Sequence, residues 1–198
     1  TMLASSLNNK FHIYSFEPVQ EHIECLNTTT ELNKKTSQVT LYPLALSDKK
    51  GEATILLAGT VSSLEKTFLK ENNGHRTIHT EKLDTVAEKI QLPDFIKIDV
   101  EGHEYKVLQG ATETLTKSKP ILFIEIADTL RNIKRDFVHP DFEKIFIQLE
   151  QLNYMTFIIK GSKLSKYNKE KRNNESCMFL FLHKEKHFSL LNLYLENS

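Results

Sequence analysis

Tryptophan is absent from the 198 residues, glycine occurs six times and cysteine twice. Each scarcity excludes something. With so few glycines a glycine-rich phosphate loop has few places to sit, and none is visible. Cys25 and Cys177 lack CxxC or mixed Cys/His spacing, which removes a disulfide scaffold and a zinc finger. They read as buried or incidental thiols of a reducing, hence cytoplasmic, compartment. An excess of either charge is missing too, since 26 Lys and Arg balance 26 Asp and Glu. Nothing electrostatic then draws the chain to nucleic acid or an anionic membrane. No apolar run approaches the roughly 20 residues of a membrane span, and no signal-peptide pattern opens the chain. Repeats and low-complexity tracts are lacking as well.

What is present suits a soluble globular protein: 39% hydrophobic and 26% charged residues. The length fits a single domain over residues 1–198 with a real core. Residues 1–7 resemble the last turns of a helix. The aromatic and β-branched run 11–16 predicts a strand, ended by Glu17-Pro18, with a helix over 21–32. Residues 39–46 predict a second strand, 47–51 a turn and 52–57 a third strand. Residues 61–74 look irregular, 77–83 extended, and Asp84 is expected to cap a short helix to about residue 90. A buried strand over 95–99 precedes a helix over 103–117, and Pro120 resets the chain into another apolar strand, 121–126. A helix over 141–152, a strand over 154–159, a solvated loop over 160–175, a strand over 178–182 and a terminal helix over 187–195 complete the pattern. Alternating strands and helices argue for an α/β fold with a mostly parallel sheet covered on both faces. Ligands of such sheets meet the carboxyl ends of the strands.

Three of those ends carry acids or polar turns: Glu17, Ser47-Asp48 and Asp99. A carboxylate at Glu17 matches the two hydroxyls of a ribose, and serves equally as an acid at a helix start. Asp48 can accept from an adenine amino group, or simply make a good turn with Lys49, Lys50 and Gly51. The segment Asp99-Val100-Glu101-Gly102-His103-Glu104 is the densest group. Four ionisable side chains there are costly to desolvate unless they meet a ligand, a metal or one another. Asp99 is placed to touch a cofactor or a substrate hydroxyl, and Glu101 and His103 are candidate general bases. Glu104 reads better as part of a solvated first helical turn. Asp99, Glu101 and Glu125 lack the defined spacing of a metal site, and no metal is expected.

Taken in order along the chain, these segments resemble the FkbM family of methyltransferases. The resemblance is carried by Phe16-Glu17-Pro18-Val19, by Ala45-Leu46-Ser47-Asp48 with Gly51-Glu52, by Ser62-Ser63-Leu64 and by Leu83-Asp84. Its most specific part is Ile96-Lys97-Ile98-Asp99-Val100-Glu101-Gly102-His103-Glu104, followed by Val107-Leu108 and Gly110-Ala111. It implies a Rossmann-like class I sheet that binds S-adenosyl-L-methionine and methylates a hydroxyl of a sugar, glycan or natural product. By position, Glu17 and Pro18 would hold the ribose, while Leu46, Ser47 and Asp48 would flank the adenine. Asp99, Glu101 and His103 would face the transferred methyl, and Ser62 and Ser63 would line the substrate mouth.

The family's opening strand and its glycine loop are not found in this sequence. That strand would lie between the one ending at Glu17 and the one ending at Asp99, so a longer natural protein is expected. Two other readings compete: an NAD-type Rossmann oxidoreductase, which shares the acid after its second strand, and a non-catalytic module that retains the fold. Substrate contacts are expected from 58–76, 127–140 and 160–176, where no code for the acceptor or for an oligomeric state is legible.

Overall fold

Pro43 decides the first feature of the architecture. Residues 39–46 form two strands where one was expected, β2 (Val39–Tyr42) and β3 (Ala45–Leu46). Proline has no N–H for a ladder, and the next amide, that of Leu44, turns back to the Tyr42 carbonyl at 2.9 Å. The chain thereby changes sheets. Upstream of this step lie α1 (Met2–Leu7), β1 (Ile13–Phe16) and α2 (Gln20–Leu32), and β2 pairs in parallel with β1. Beyond it, β3 joins β4 (Gly51–Ala58), β5 (Val61–Ser63) and β6 (Gly74–Glu81) in the order β3-β6-β4-β5. Part of the 61–74 stretch expected to be irregular is thus strand. The computed structural model describes residues 1–8, 10–58, 61–64, 74–126, 141–161, 163–168 and 178–194.

The third sheet holds most of the core. It comprises β7 (Phe95–Ile98), β8 (Ile121–Glu125), β9 (Tyr154–Lys160), β10 (Lys163–Lys166) and β11 (Met178–His183), in the order β10-β9-β11-β8-β7. Strand β10 lies inside the segment expected to be a solvated loop. Its hairpin with β9 supplies the backbone pairing that its polar side chains do not advertise. Helix α6 (Phe142–Gln151) buries Phe142, Ile145, Phe146 and Leu149, the three-and-four spacing of one helical stripe. That stripe rests on the sheet through Phe146 and Phe179, whose rings meet edge to face at 5.3 Å. Helix α7 (Phe188–Tyr194) ends the described chain.

The expectation of a mostly parallel sheet is corrected. Parallel pairing joins β1 to β2, β3 to β6 and β7 to β8. The pairs β4–β5, β4–β6, β8–β11, β9–β11 and β9–β10 are antiparallel. Short connections such as that between β9 and β10 can join only antiparallel neighbours, so the sheets are mixed. Among the described residues β1 pairs only with β2, and β7 only with β8. Within the described residues the strands that end before Glu17 and Asp99 therefore each have one unpaired edge.

The single helix expected over 103–117 is also two: α4 (Glu104–Gln109) and α5 (Thr112–Ser118). At the break, Gly110 lies against the backbone of Ser47, where an added Cβ would stand 2.0 Å from the carbonyl oxygen. The second helix is capped from elsewhere in the chain. Asp84, expected to cap its own helix, instead lies within α3 (Leu83–Ala87). Its Oδ1 accepts from the Thr114 amide and hydroxyl, both at 2.7 Å, and its Oδ2 from the Glu113 amide at 3.1 Å. Asp84→Ala is therefore expected to lower stability by about 1–2 kcal/mol, the usual worth of a lost cap. A shifted urea midpoint at constant slope would show it, and an unmoved midpoint would mean the cap is idle.

Candidate active site

Strand β7 delivers its acids by the alternation of an extended chain. Lys97 and Asp99 fall on one face, and Lys97 Nζ reaches Asp99 Oδ2 at 2.5 Å. The parallel register pairs Ile98 with Ile124, which brings Asp99 beside Glu125 at the next strand tip. The two side chains are hydrogen-bonded to one another. Burial works against a charge on Asp99, but the bonds from Lys97 and Glu125 outweigh it and hold this carboxyl below its ordinary range.

Beyond Asp99 the backbone turns through two left-handed residues, Glu101 at φ 53° and Gly102 at φ 101°. Glycine takes this region freely, whereas glutamate does so at a cost of roughly 1–2 kcal/mol. Contacts around the turn offset that cost. Ser63 Oγ donates to the Glu101 carbonyl at 2.7 Å. Glu104 Oε1 accepts from the amides of Val100 and Gly102 at 3.3 and 3.1 Å. His103 Nε2 meets Ser47 Oγ at 3.0 Å. So fixed, Glu101 sits half-buried among acids. Burial first, and then the charges of Asp99, Glu125 and Glu104, push its pKa up to about 7.

Glu104 departs from its expected place. It is 2% exposed, not part of a solvated turn, because the amides of a tight loop need an acceptor where no water reaches. His103, the N-cap residue of α4, is buried as well.

The other strand tips converge on the same region. Of the residues that immediately precede Glu17, Ser47 and Asp99, Ile98 belongs to a core cluster against which Phe16 and Leu46 pack. Glu17 donates its amide to the Tyr42 carbonyl at 3.1 Å, tying the tip of β1 to that of β2. Its Oε1 accepts from the Val19 amide at 2.8 Å and lies 3.4 Å from His22 Nδ1. Pro18 lies between Glu17 and this amide, and α2 starts two residues later. Ser47 donates to Asp48 Oδ1 at 2.9 Å, so the second tip and the Glu101 turn are bonded to one another through Ser47 and His103.

Ser63 is buried at 1% exposure beneath the Glu101 turn, while the side chain of Ser62 lies outside the described residues. So do residues 127–140 and Cys177. Cys25, read as a buried or an incidental thiol, is exposed. Among the described residues no group of three or more His, Cys, Asp or Glu side chains is arranged to hold a metal ion. Sequence reasoning missed the bond from Lys97 to Asp99, the loop-holding carboxylate of Glu104 and the close approach of Gly110. Only the first had a local signal, the two-residue spacing along a strand.

Comparison with known proteins reaches the same region of the chain. The family described as the Methyltransferase FkbM domain matches residues 1–155. Hexuronic acid methyltransferase AglP of Haloferax volcanii is 29% identical over 121 residues, which are 60% of this chain and 48% of that protein. The crystal structure of Methyltransferase FkbM from Methylobacillus flagellatus KT aligns with a TM-score of 0.55 at 15% identity. That alignment covers 86% of this chain and 36% of the other, and it is a likeness of fold. The chain spans about half the length of the curated relative it matches.

Proposed function

The chain belongs to the FkbM methyltransferase family, and from that premise we propose that it is an S-adenosyl-L-methionine-dependent O-methyltransferase acting on a hydroxyl of a sugar, glycan or other small molecule. The relative named for methylating a hexuronic acid makes a sugar the first acceptor to try. The observation that carries the reading is the bond between Ser47 and His103, 56 residues apart in sequence. It brings the tip expected to face adenine to the turn expected to face the transferred methyl. On this reading the strands ending at Glu17, Ser47 and Asp99, which lie in three separate sheets, present their tips to one ligand.

The residues present fit such a ligand. Glu17 is held through Oε1, which leaves Oε2 to accept from a ribose hydroxyl. Asp48 is steadied through Oδ1, with Oδ2 available to an adenine amino group. Leu46 supplies apolar surface beside the ring. When bound, S-adenosyl-L-methionine supplies a methyl group already activated for transfer on a sulfonium. The protein's part is then alignment and removal of one proton. Glu101 carries that role best, because its pKa near 7 lets it take a proton from an acceptor hydroxyl at neutral pH. Asp99, kept ionised beside Lys97, positions the acceptor or the donor.

The exposed thiol of Cys25 suits a cytoplasmic setting, and no helix among the described residues is long and apolar enough to cross a membrane. Calorimetric titration with S-adenosyl-L-methionine, S-adenosylhomocysteine and NAD tests the reading. Binding of the first two supports it; binding of NAD alone, or of none, removes it.

A further inference from the structure

We propose that Ser47 is a positioning residue that dictates where His103 carries its proton. The argument is one of proton counting. A serine hydroxyl has one hydrogen to give and two lone pairs to accept with. Asp48 Oδ1 accepts from Ser47 Oγ, so the 2.9 Å bond consumes the Ser47 hydrogen. The same oxygen lies 3.0 Å from His103 Nε2, and with its own hydrogen spent it must accept there. His103 therefore carries hydrogen on Nε2 whether its ring is neutral or charged. Both Ser47 and His103 are 5% exposed, so water has little opportunity to replace either partner.

Two consequences follow for the reaction, and they rest on the methyl-transfer reading. Nε2 of His103 cannot be the general base, so a proton taken up by this imidazole would have to go to Nδ1. The order Asp48, Ser47, His103 also forms a directional chain of donors and acceptors between the adenine end and the methyl end of the site. Taking away Asp48 as an obligate acceptor frees the Ser47 hydrogen and, with it, the orientation of the imidazole two residues beyond Glu101.

The experiment is a long-range proton–nitrogen correlation spectrum of the uniformly 15N-labelled full chain, which reports the protonation of each imidazole nitrogen. The chain has eight histidines, and the His103 signals are those lost in His103→Gln. The expected spectrum shows Nε2 of His103 protonated. Ser47→Ala strips Nε2–H of its acceptor, so the ring is expected to shift toward the Nδ1–H form, with turnover falling about tenfold. An unprotonated Nε2 in the wild-type chain overturns the proposal without recourse to any variant. Imidazole signals unchanged in a folded Ser47→Ala chain overturn it as well. Failure of the wild-type chain to bind S-adenosylhomocysteine would count against the methyltransferase reading alone, because the proton assignment needs no ligand.

Discussion

Glu101→Gln is expected to lower turnover by about 10²- to 10⁴-fold, the usual contribution of a general base, while affinity for S-adenosylhomocysteine stays within about twofold. Glutamine keeps the size of the side chain and the bond from Ser63 to the backbone carbonyl but cannot take a proton. The pH dependence gives the sharper signature. Burial and the neighbouring acids place the Glu101 pKa at about 7. Wild-type turnover should therefore climb through neutrality as the carboxyl loses its proton, then level off above it. In the variant this limb should vanish. Stability moves in the opposite sense. Between the ordinary value of 4.5 and about 7 the folded chain holds a proton that the unfolded chain has released, so folding weakens as pH rises through that window. Above it, glutamine mimics the favoured neutral form, and Glu101→Gln should be the more stable protein. A variant that retained the rising limb would move the base elsewhere.

Gly110→Ala should produce the largest loss of stability for the smallest chemical change. The backbone of Gly110 is ordinary, so alanine there would normally gain about 0.4–1 kcal/mol by restricting the unfolded chain. Space decides otherwise. The new Cβ would stand 2.0 Å from the Ser47 carbonyl oxygen and 2.9 Å from its carbon. Both are backbone atoms, and no side chain can rotate aside. A net loss of about 3 kcal/mol is expected, at the upper end for overpacking, and the Ser47-Asp48 turn should shift with it. Denaturant unfolding measures the first effect. Weakened S-adenosylhomocysteine binding by the residual folded protein measures the second. An alanine variant as stable as the wild type would mean that α4 does not press on this turn.

The sequence made the acids legible because strand ends are marked by abrupt changes from apolar to charged residues, as at Ile98-Asp99 and Phe16-Glu17. What it hid was set by partners distant in the chain. Asp84 looks like the cap of its own helix until Thr114, 30 residues on, appears at its carboxylate. Val39 to Leu46 reads as one apolar run, and only the separate pairings of β2 with β1 and of β3 with β6 show that it serves two sheets. Gly110 gives no hint of a break because α4 is interrupted by contact with Ser47, not by local propensity. Glu104 is a good helix former at a helix start, and its burial follows from loop amides that no periodicity reveals. The parallel bias was over-read for the same reason: strand length and composition do not state direction, and the antiparallel returns through β9, β10 and β11 are fixed by pairing alone.

Asp99, Glu101, Glu104 and Glu125 stand around one turn, with Lys97 the cation bonded among them. On the methyl-transfer reading, that imbalance distinguishes the two forms of the ligand. A sulfonium entering this corner is a positive guest among anions; the thioether left behind after transfer has lost that attraction. The electrostatics that would favour loading would thus switch off once the methyl had gone, and exchange of spent ligand for fresh would be helped by the same side chains that prepare the acceptor.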